Sequence, residues 1–162
     1  MTVSLKYSVI ERERRFLVRS VPSGVTGVSQ IRDRYIDASR LRLREVRRPD
    51  GRVVRKLGQK IRLGDGPSAI ACTSVYLDDA EWSLLSSLPA RVVTKRRHHL
   101  DRDGVQAVID ELEDGTLLAE IDDGDRPPAP VPSWLDVIAD VTGDEAWTGG
   151  SIAARTEESP TR

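Results

Sequence analysis

Hydrophobic and polar positions alternate with a period of two through most of the chain. Leu41 and Leu43 interleave with Arg42 and Arg44, and Val53, Leu57 and Ile61 oppose Lys56, Lys60 and Arg62. Leu117, Ala119 and Ile121 likewise oppose Glu120 and Asp122. Side chains two apart share a face of a strand, so the pattern predicts strands with one aliphatic and one charged face. Pro22-Ser23-Gly24, Pro49-Asp50-Gly51, Gly64-Asp65-Gly66-Pro67, Asp101-Arg102-Asp103-Gly104 and Asp114-Gly115 separate these stretches. That is the punctuation of hairpins rather than of βαβ units. Eight strands are predicted near 7–19, 28–37, 40–48, 52–62, 68–77, 90–100, 105–112 and 116–122.

Two segments follow a helical rhythm. Over 78–88, Asp78 is an N-cap candidate, acids fill the first turn, Leu84, Leu85 and Leu88 share a side, and Pro89 stops the run. After a proline-rich linker at 126–132, Trp134, Val137, Ile138 and Val141 fall at helical spacing and predict a second helix over 133–141. The fold class expected is mainly β, α+β: an eight-stranded antiparallel barrel with a few peripheral helices. Residues 1–148 form its single domain, and 149–162 read as a flexible polar tail.

Composition decides which face of such a barrel is inside. Aromatic residues are 4% and apolar residues 38% of the 162, too few to fill an interior and also cover two helices, so the charged face is expected to line a tunnel. The net charge of -1 excludes a simple basic nucleic-acid binder. That average conceals a polarity, because residues 1–65 hold 17 Lys+Arg against 7 Asp+Glu, and residues 101–162 hold 4 against 16. Cys72 is the single cysteine, and no apolar run approaches the ~20 residues that cross a bilayer. The expected setting is therefore cytoplasmic, with no membrane partner.

The charges that fall in register carry the candidate chemistry. Glu11, Glu13 and Arg15 share a face, as do Arg42 with Arg44 and Lys95 with Arg97; Lys60, Asp110, Glu120 and Asp122 join them on the face opposite the aliphatic residues. Buried charges of both signs must pair or meet a counter-ligand. A polyphosphate with Mg2+ or Mn2+ meets both needs, because bases bind phosphate oxygens and carboxylates hold a hard cation.

These residues resemble a known family, the CYTH domains or triphosphate tunnel metalloenzymes. Glu11-Arg12-Glu13-Arg14-Arg15-Phe16-Leu17-Val18 is similar to the family's ExExK strand, with Arg15 where Lys is usual. Asp33-Arg34-Tyr35-Ile36-Asp37 leading into Leu41-Arg42-Leu43-Arg44 resembles its DRYxD and LRLR segments, and Lys56-Leu57-Gly58-Gln59-Lys60 its tunnel-lysine strand. Lys95-Arg96-Arg97 resembles the KxR strand, Asp110 the acidic position after it, and Leu118-Ala119-Glu120-Ile121-Asp122 the late ExE strand. The likeness runs from about Val9 to Ala153. It implies metal-dependent hydrolysis of the terminal phosphoryl group of a linear triphosphate, inorganic triphosphate first, with thiamine or nucleoside triphosphates as further candidates.

Carried over by position, the resemblance makes Glu11, Glu13, Asp110, Glu120 and Asp122 the metal side and Arg42, Arg44, Lys60, Lys95 and Arg97 the phosphate grip. Glu11, Glu13 and Arg15 would be catalytic. Arg15 cannot act as a base, because a guanidinium stays protonated, and Trp147-Thr148-Gly149-Gly150 lacks the basic residue many members place there. Removing one acid from a like-charged cluster is expected to leave the fold intact or slightly more stable. The alternatives are a class IV-type adenylate cyclase, for which few aromatics are available to stack on a base, and a polyanion- or RNA-binding barrel. In-register acids and scarce aromatics argue against nucleic acid; monomer and homodimer both remain open.

Other residues read as structural. His98 and His99 point to opposite faces and cannot chelate one ion. Cys72 reads as a small core residue, Glu111 and Glu113 as solvent charges, and Trp82 and Trp134 as core anchors.

Overall fold

The computed structural model describes residues 4–158. The chain forms β1 (Val9–Val18), β2 (Val25–Ile36), β3 (Leu41–Arg47), β4 (Val53–Arg62), β5 (Ala69–Tyr76), α1 (Asp79–Leu85), β6 (Ala90–Arg102), β7 (Val105–Leu112), β8 (Leu117–Asp122), β9 (Val137–Asp140) and α2 (Gly149–Glu158), with one 3-10 turn at Glu145–Trp147. Strands are hydrogen-bonded in the order β5-β4-β3-β2-β6-β7-β8-β1-β9, and β5 pairs with β1 as well. The first eight therefore close into an antiparallel barrel, as the alternation predicted. Closure removes the sheet edges that would otherwise recruit another strand.

Local chemistry sets the turns. Asp103 and Gly104 both have positive φ, 55° and 75°, the requirement of a two-residue type I′ hairpin between β6 and β7. The Asp78 side chain accepts from the Glu81 amide, and the Glu81 side chain accepts from the Asp78 amide, so α1 starts on a full capping box. Arg55 lies over the Trp82 ring and pairs with Asp79 at 2.6 Å, fixing α1 against β4 on the outside of the barrel.

Two elements differ from the sequence reading. The segment 133–141, expected to be a helix, instead holds strand β9 at Val137–Asp140, paired with Phe16, Leu17 and Val18 of β1. The reason is an open edge: β5 covers β1 only at Val9–Arg12, so the edge beyond it needs partners, and β-branched Val137 and Ile138 suit a strand. Ile138, which a helix would have buried, is 57% exposed. The segment from Gly149, read as a polar tail, is helical to Glu158 and buries Ile152 and Ala153; residues 159–162 lie outside the described residues.

Most of the buried apolar residues fall into two clusters. Phe16, Val18, Leu100, Ala107, Ile109, Ala119, Ile121 and Leu135 form a core outside the barrel wall, beneath the segment leading into β9. Val93, Leu112 and Leu118, which share the inner face with the charges, pack with Ile152 and Ala153 of α2 and Val141. The helix thus closes one end of the tunnel with an aliphatic plug, and the charged residues occupy the rest.

Candidate active site

Register brings opposite charges face to face inside the barrel. Arg44 pairs across strands with Asp33, Arg97 with Asp110, and Arg15 with Glu120; on its other side Arg44 meets the like-charged Lys56. Two carboxylates, both fully buried, anchor the cations. Asp33 receives Arg44 Nε and Nη2 at 2.6 Å each, with Arg42 at 3.8 Å and Lys95 at 4.0 Å. Asp110 receives Arg97 through Nε and Nη2, both at 2.7 Å, and Lys95 Nζ at 2.5 Å.

The remaining acids stand further along. Lys60 Nζ donates to Glu11 at 3.0 Å and Glu13 at 3.3 Å, Arg15 Nη2 donates to Glu13 at 2.5 Å, and Arg97 Nη2 donates to Glu120 at 3.0 Å. Burial pushes the Glu13 carboxyl up, but Lys60 and Arg15 outweigh it and hold the group down to about 2. Asp33 and Asp110 are also held below the ordinary carboxylate range: burial opposes ionisation, and Arg44 in one case, Lys95 and Arg97 in the other, override it.

A stability prediction follows from the sign of these shifts. A carboxylate whose folded value lies below its unfolded one of ~4 binds its proton first in the unfolded chain, so its stabilisation is complete above that value and is lost as pH falls through the folded one. The melting temperature is expected to hold from pH 7 to 5 and to drop below pH 4, measured by circular dichroism. An unchanged melting temperature between pH 5 and 3 would contradict the assigned pairing.

Nine basic side chains and five carboxylates line a cavity of about 510 Å3 within the barrel. Glu11, Glu13, Arg97 and Glu120 also line a second cavity of about 550 Å3, with His99 and Asp122. Glu11, Glu13 and Glu120 therefore stand where the two spaces meet, whereas Asp33, Asp110 and most of the bases line the first alone.

Eleven sequence-predicted site residues are Glu11, Glu13, Arg15, Arg42, Arg44, Lys60, Lys95, Arg97, Asp110, Glu120 and Asp122; all but Asp122 line the main cavity. Asp122 is exposed, and its Oδ1 accepts from the amides of Arg12 and Gly124 at 2.9 Å, closing the end of β8.

Several cavity residues had no role in the sequence reading. Asp33 is central, and Lys56 lines the cavity with no ion pair among the described residues. Burial, then Arg44 and Arg42, lower the Lys56 pKa. Tyr35 faces the cavity, and burial followed by Asp33 raises its pKa. Cys72, expected in the core, also faces the cavity. The signal for Asp33 and Tyr35 is the register Ser29, Ile31, Asp33, Tyr35, which Arg32 and Arg34 on the outer face obscure. His98 pairs outward with Glu111 at 2.9 Å and His99 faces Ser29 at 3.0 Å, so the two rings do diverge.

The donor set suits a hard divalent cation. Glu11, Glu13 and Glu120 offer only carboxylate oxygens, and one oxygen each of Glu11 and Glu120 accepts no hydrogen bond among the described residues. No three His, Cys, Asp or Glu residues among those described already form a metal cage. A cation held here would exchange contacts with Lys60 and Arg15.

No protein-family model matches the chain, and no curated protein matches it in sequence. Solved structures do match. The inorganic triphosphatase NE1496 aligns with a TM-score of 0.55 at 19% identity, over 94% of this chain and 95% of that one. A conserved hypothetical protein from Pyrococcus furiosus aligns at 0.54 and 15%, over 76% and 81%. The PH1012 protein from Pyrococcus horikoshii OT3 aligns at 0.52 and 17%, over 69% and 77%. The likeness is one of fold: the chain has the tunnel barrel that the CYTH resemblance implies.

Proposed function

We propose that this chain is a divalent-metal-dependent triphosphatase of the CYTH type that hydrolyses the terminal anhydride of a linear triphosphate. One observation carries the reading. Among the described residues, three cationic side chains of the cavity keep unsatisfied capacity: Arg15 Nη1 and Arg42 Nε are buried without a hydrogen bond, although Arg15 also binds Glu13 and Arg42 lies 3.8 Å from Asp33, and Lys56 has no ion pair. Orphaned buried donors are costly, and a polyanion in the tunnel satisfies them.

Each group then has a role. Arg42, Arg44, Lys56, Lys60, Lys95 and Arg97 bind phosphate oxygens, while Asp33 and Asp110 position Arg44, Lys95 and Arg97 rather than contacting substrate. Glu11, Glu13 and Glu120 would hold the cation, with Asp122 at the outer mouth. The cation supplies charge neutralisation and lowers the pKa of water. Arg15 fixes Glu13 through Nη2 and offers Nη1 to the transferring group. Hydrolysis forms a P–O bond from water and breaks the terminal anhydride bond; orthophosphate and the shortened chain leave, and the proton of water passes to solvent.

Inorganic triphosphate is the preferred substrate in this reading. The similarly folded NE1496 is an inorganic triphosphatase, and the aromatics lining the main cavity are engaged, Tyr35 against Gly149 and Trp147 beneath Arg155. Phosphorus NMR of reactions with tripolyphosphate, thiamine triphosphate and ATP, each with Mg2+ or Mn2+, tests this: equal amounts of orthophosphate and pyrophosphate from tripolyphosphate are expected. Conversion of ATP to a cyclic nucleotide, with tripolyphosphate untouched, would refute it in favour of the cyclase.

Lys56→Gln separates binding from folding. Because Lys56 has no acid partner, the variant is expected to keep its melting temperature and to bind tripolyphosphate about tenfold more weakly by calorimetry, the loss of one charge-assisted contact. Unchanged affinity would remove Lys56 from the phosphate grip.

A further inference from the structure

The first turn of α2 reaches into the main cavity, which Thr148, Gly149 and Gly150 line. Thr148 Oγ1 accepts from the Ser151 amide at 3.4 Å, and the Ile152 amide donates to the Thr148 carbonyl at 2.9 Å. The amides of Gly149 and Gly150 donate to no acceptor among the described residues. They stand at the positive end of a ten-residue helix.

This approach depends on glycine. A Cβ at Gly149 would lie 1.8 Å from Tyr35 Oη, so any other residue would displace either the Tyr35 ring or the turn. Tyr35 neighbours Asp33, Arg42 and Arg44 electrostatically, which puts the turn beside the phosphate grip. Both acids just before the turn are engaged: Glu145 receives Nη1 and Nη2 of Arg62 at 2.5 and 2.6 Å, and Asp144 accepts from the Ala146 amide at 2.9 Å.

An independent feature of the same cavity also lacks an anion. Arg15 is 6% exposed, and its Nη1 is buried with no acceptor among the described residues. Its other contacts, Glu13 at 2.5 Å and Glu120 at 3.7 Å, leave that nitrogen free.

We propose that the Thr148–Gly150 turn is an anion-binding element of the tunnel, whose Gly149 and Gly150 amides hold one phosphate group of the polyphosphate that Arg15 Nη1 also contacts. The proposal rests on the reading that the tunnel binds a linear polyphosphate. It gives the Trp147-Thr148-Gly149-Gly150 segment, which has no basic side chain, a backbone means of binding the same charge.

The test is a titration of the nitrogen-15-labelled full chain with tripolyphosphate in EDTA, followed by proton–nitrogen correlation spectra. The Gly149 and Gly150 amide protons are expected to move downfield on binding. Unmoved glycine amides alongside a response from Arg15 and Lys60 would overturn the proposal and leave the polyphosphate reading standing; no response anywhere would overturn both. Two variants add a second readout. Alanine at 150 fits, with its Cβ 3.9 Å from Tyr35 Cδ1, and retains the N–H; proline deletes it in the first turn, where helices accept proline. Calorimetry is expected to find Gly150→Pro about tenfold weaker for tripolyphosphate than Gly150→Ala, and equal affinities would count against the amide contact. Should Gly150→Pro not fold, the wild-type spectra decide.

Discussion

Asp33→Asn is expected to cost about 3–5 kcal/mol of stability, the loss seen when one partner of a buried ion pair is removed. Asp33 is fully buried with Arg44 clamped on both oxygens, and Arg42 and Lys95 stand within 4.0 Å. Asparagine keeps the volume but withdraws the one carboxylate that pairs with Arg44 among the described residues, leaving several cations to repel one another away from water. Urea unfolding of the variant beside Asp50→Asn, which disturbs only the exposed Asp50–Arg52 pair, measures the difference. Adding Arg44→Met should recover part of the loss, since an apolar side chain needs no counter-charge. A loss at Asp33 no larger than at Asp50 would contradict its role as the anchor of the phosphate-gripping cations.

Glu13→Gln should lower turnover of tripolyphosphate by about a hundredfold or more, the scale for deleting an electrostatic group in a site that must stabilise developing charge. The neutral amide can neither hold a cation as a carboxylate does nor keep Arg15 Nη2 and Lys60 in place. Its stability should fall as well. The sequence reading expected the opposite, treating the acids as a like-charged cluster whose dilution relieves repulsion; in the structure, Glu13 lies between Lys60 and Arg15 and is held down to about 2 by them. Steady-state kinetics with thermal melts distinguishes the outcomes. Full turnover in a folded variant would remove Glu13 from the reacting centre.

Where alternation is strict, the inner face of the barrel was legible in the sequence. Over 41–44 in β3, 56–62 in β4 and 119–122 in β8 the aliphatic and charged residues occupy opposite parities, and closure then decides which parity is inside. β2 defeats that rule because Arg32 and Arg34 face outward while Asp33 faces inward, so charge no longer marks a face. Parity also says nothing about partners. Asp110 and Glu120 share the inner face, yet Asp110 is consumed by Lys95 and Arg97, whereas Glu120 has an oxygen that accepts no hydrogen bond among the described residues. β9 was misread for a different reason. Trp134, Val137, Ile138 and Val141 satisfy a helical period, and only the open edge of β1, a feature of the assembled barrel, makes Val137–Asp140 a strand. The tail at 149–158 was hidden because its two buried apolar residues, Ile152 and Ala153, matter only once a barrel end exists for them to cover.

Orthophosphate release from tripolyphosphate, followed with the full chain in Mg2+, in Mn2+ and in EDTA, tests the central claim most directly. The acids and bases of this tunnel predict release with a divalent cation, none in EDTA, and recovery when the metal is restored. Equal release in EDTA, or none with either metal from a folded protein, would contradict the claim that the tunnel is a metal-dependent triphosphatase site.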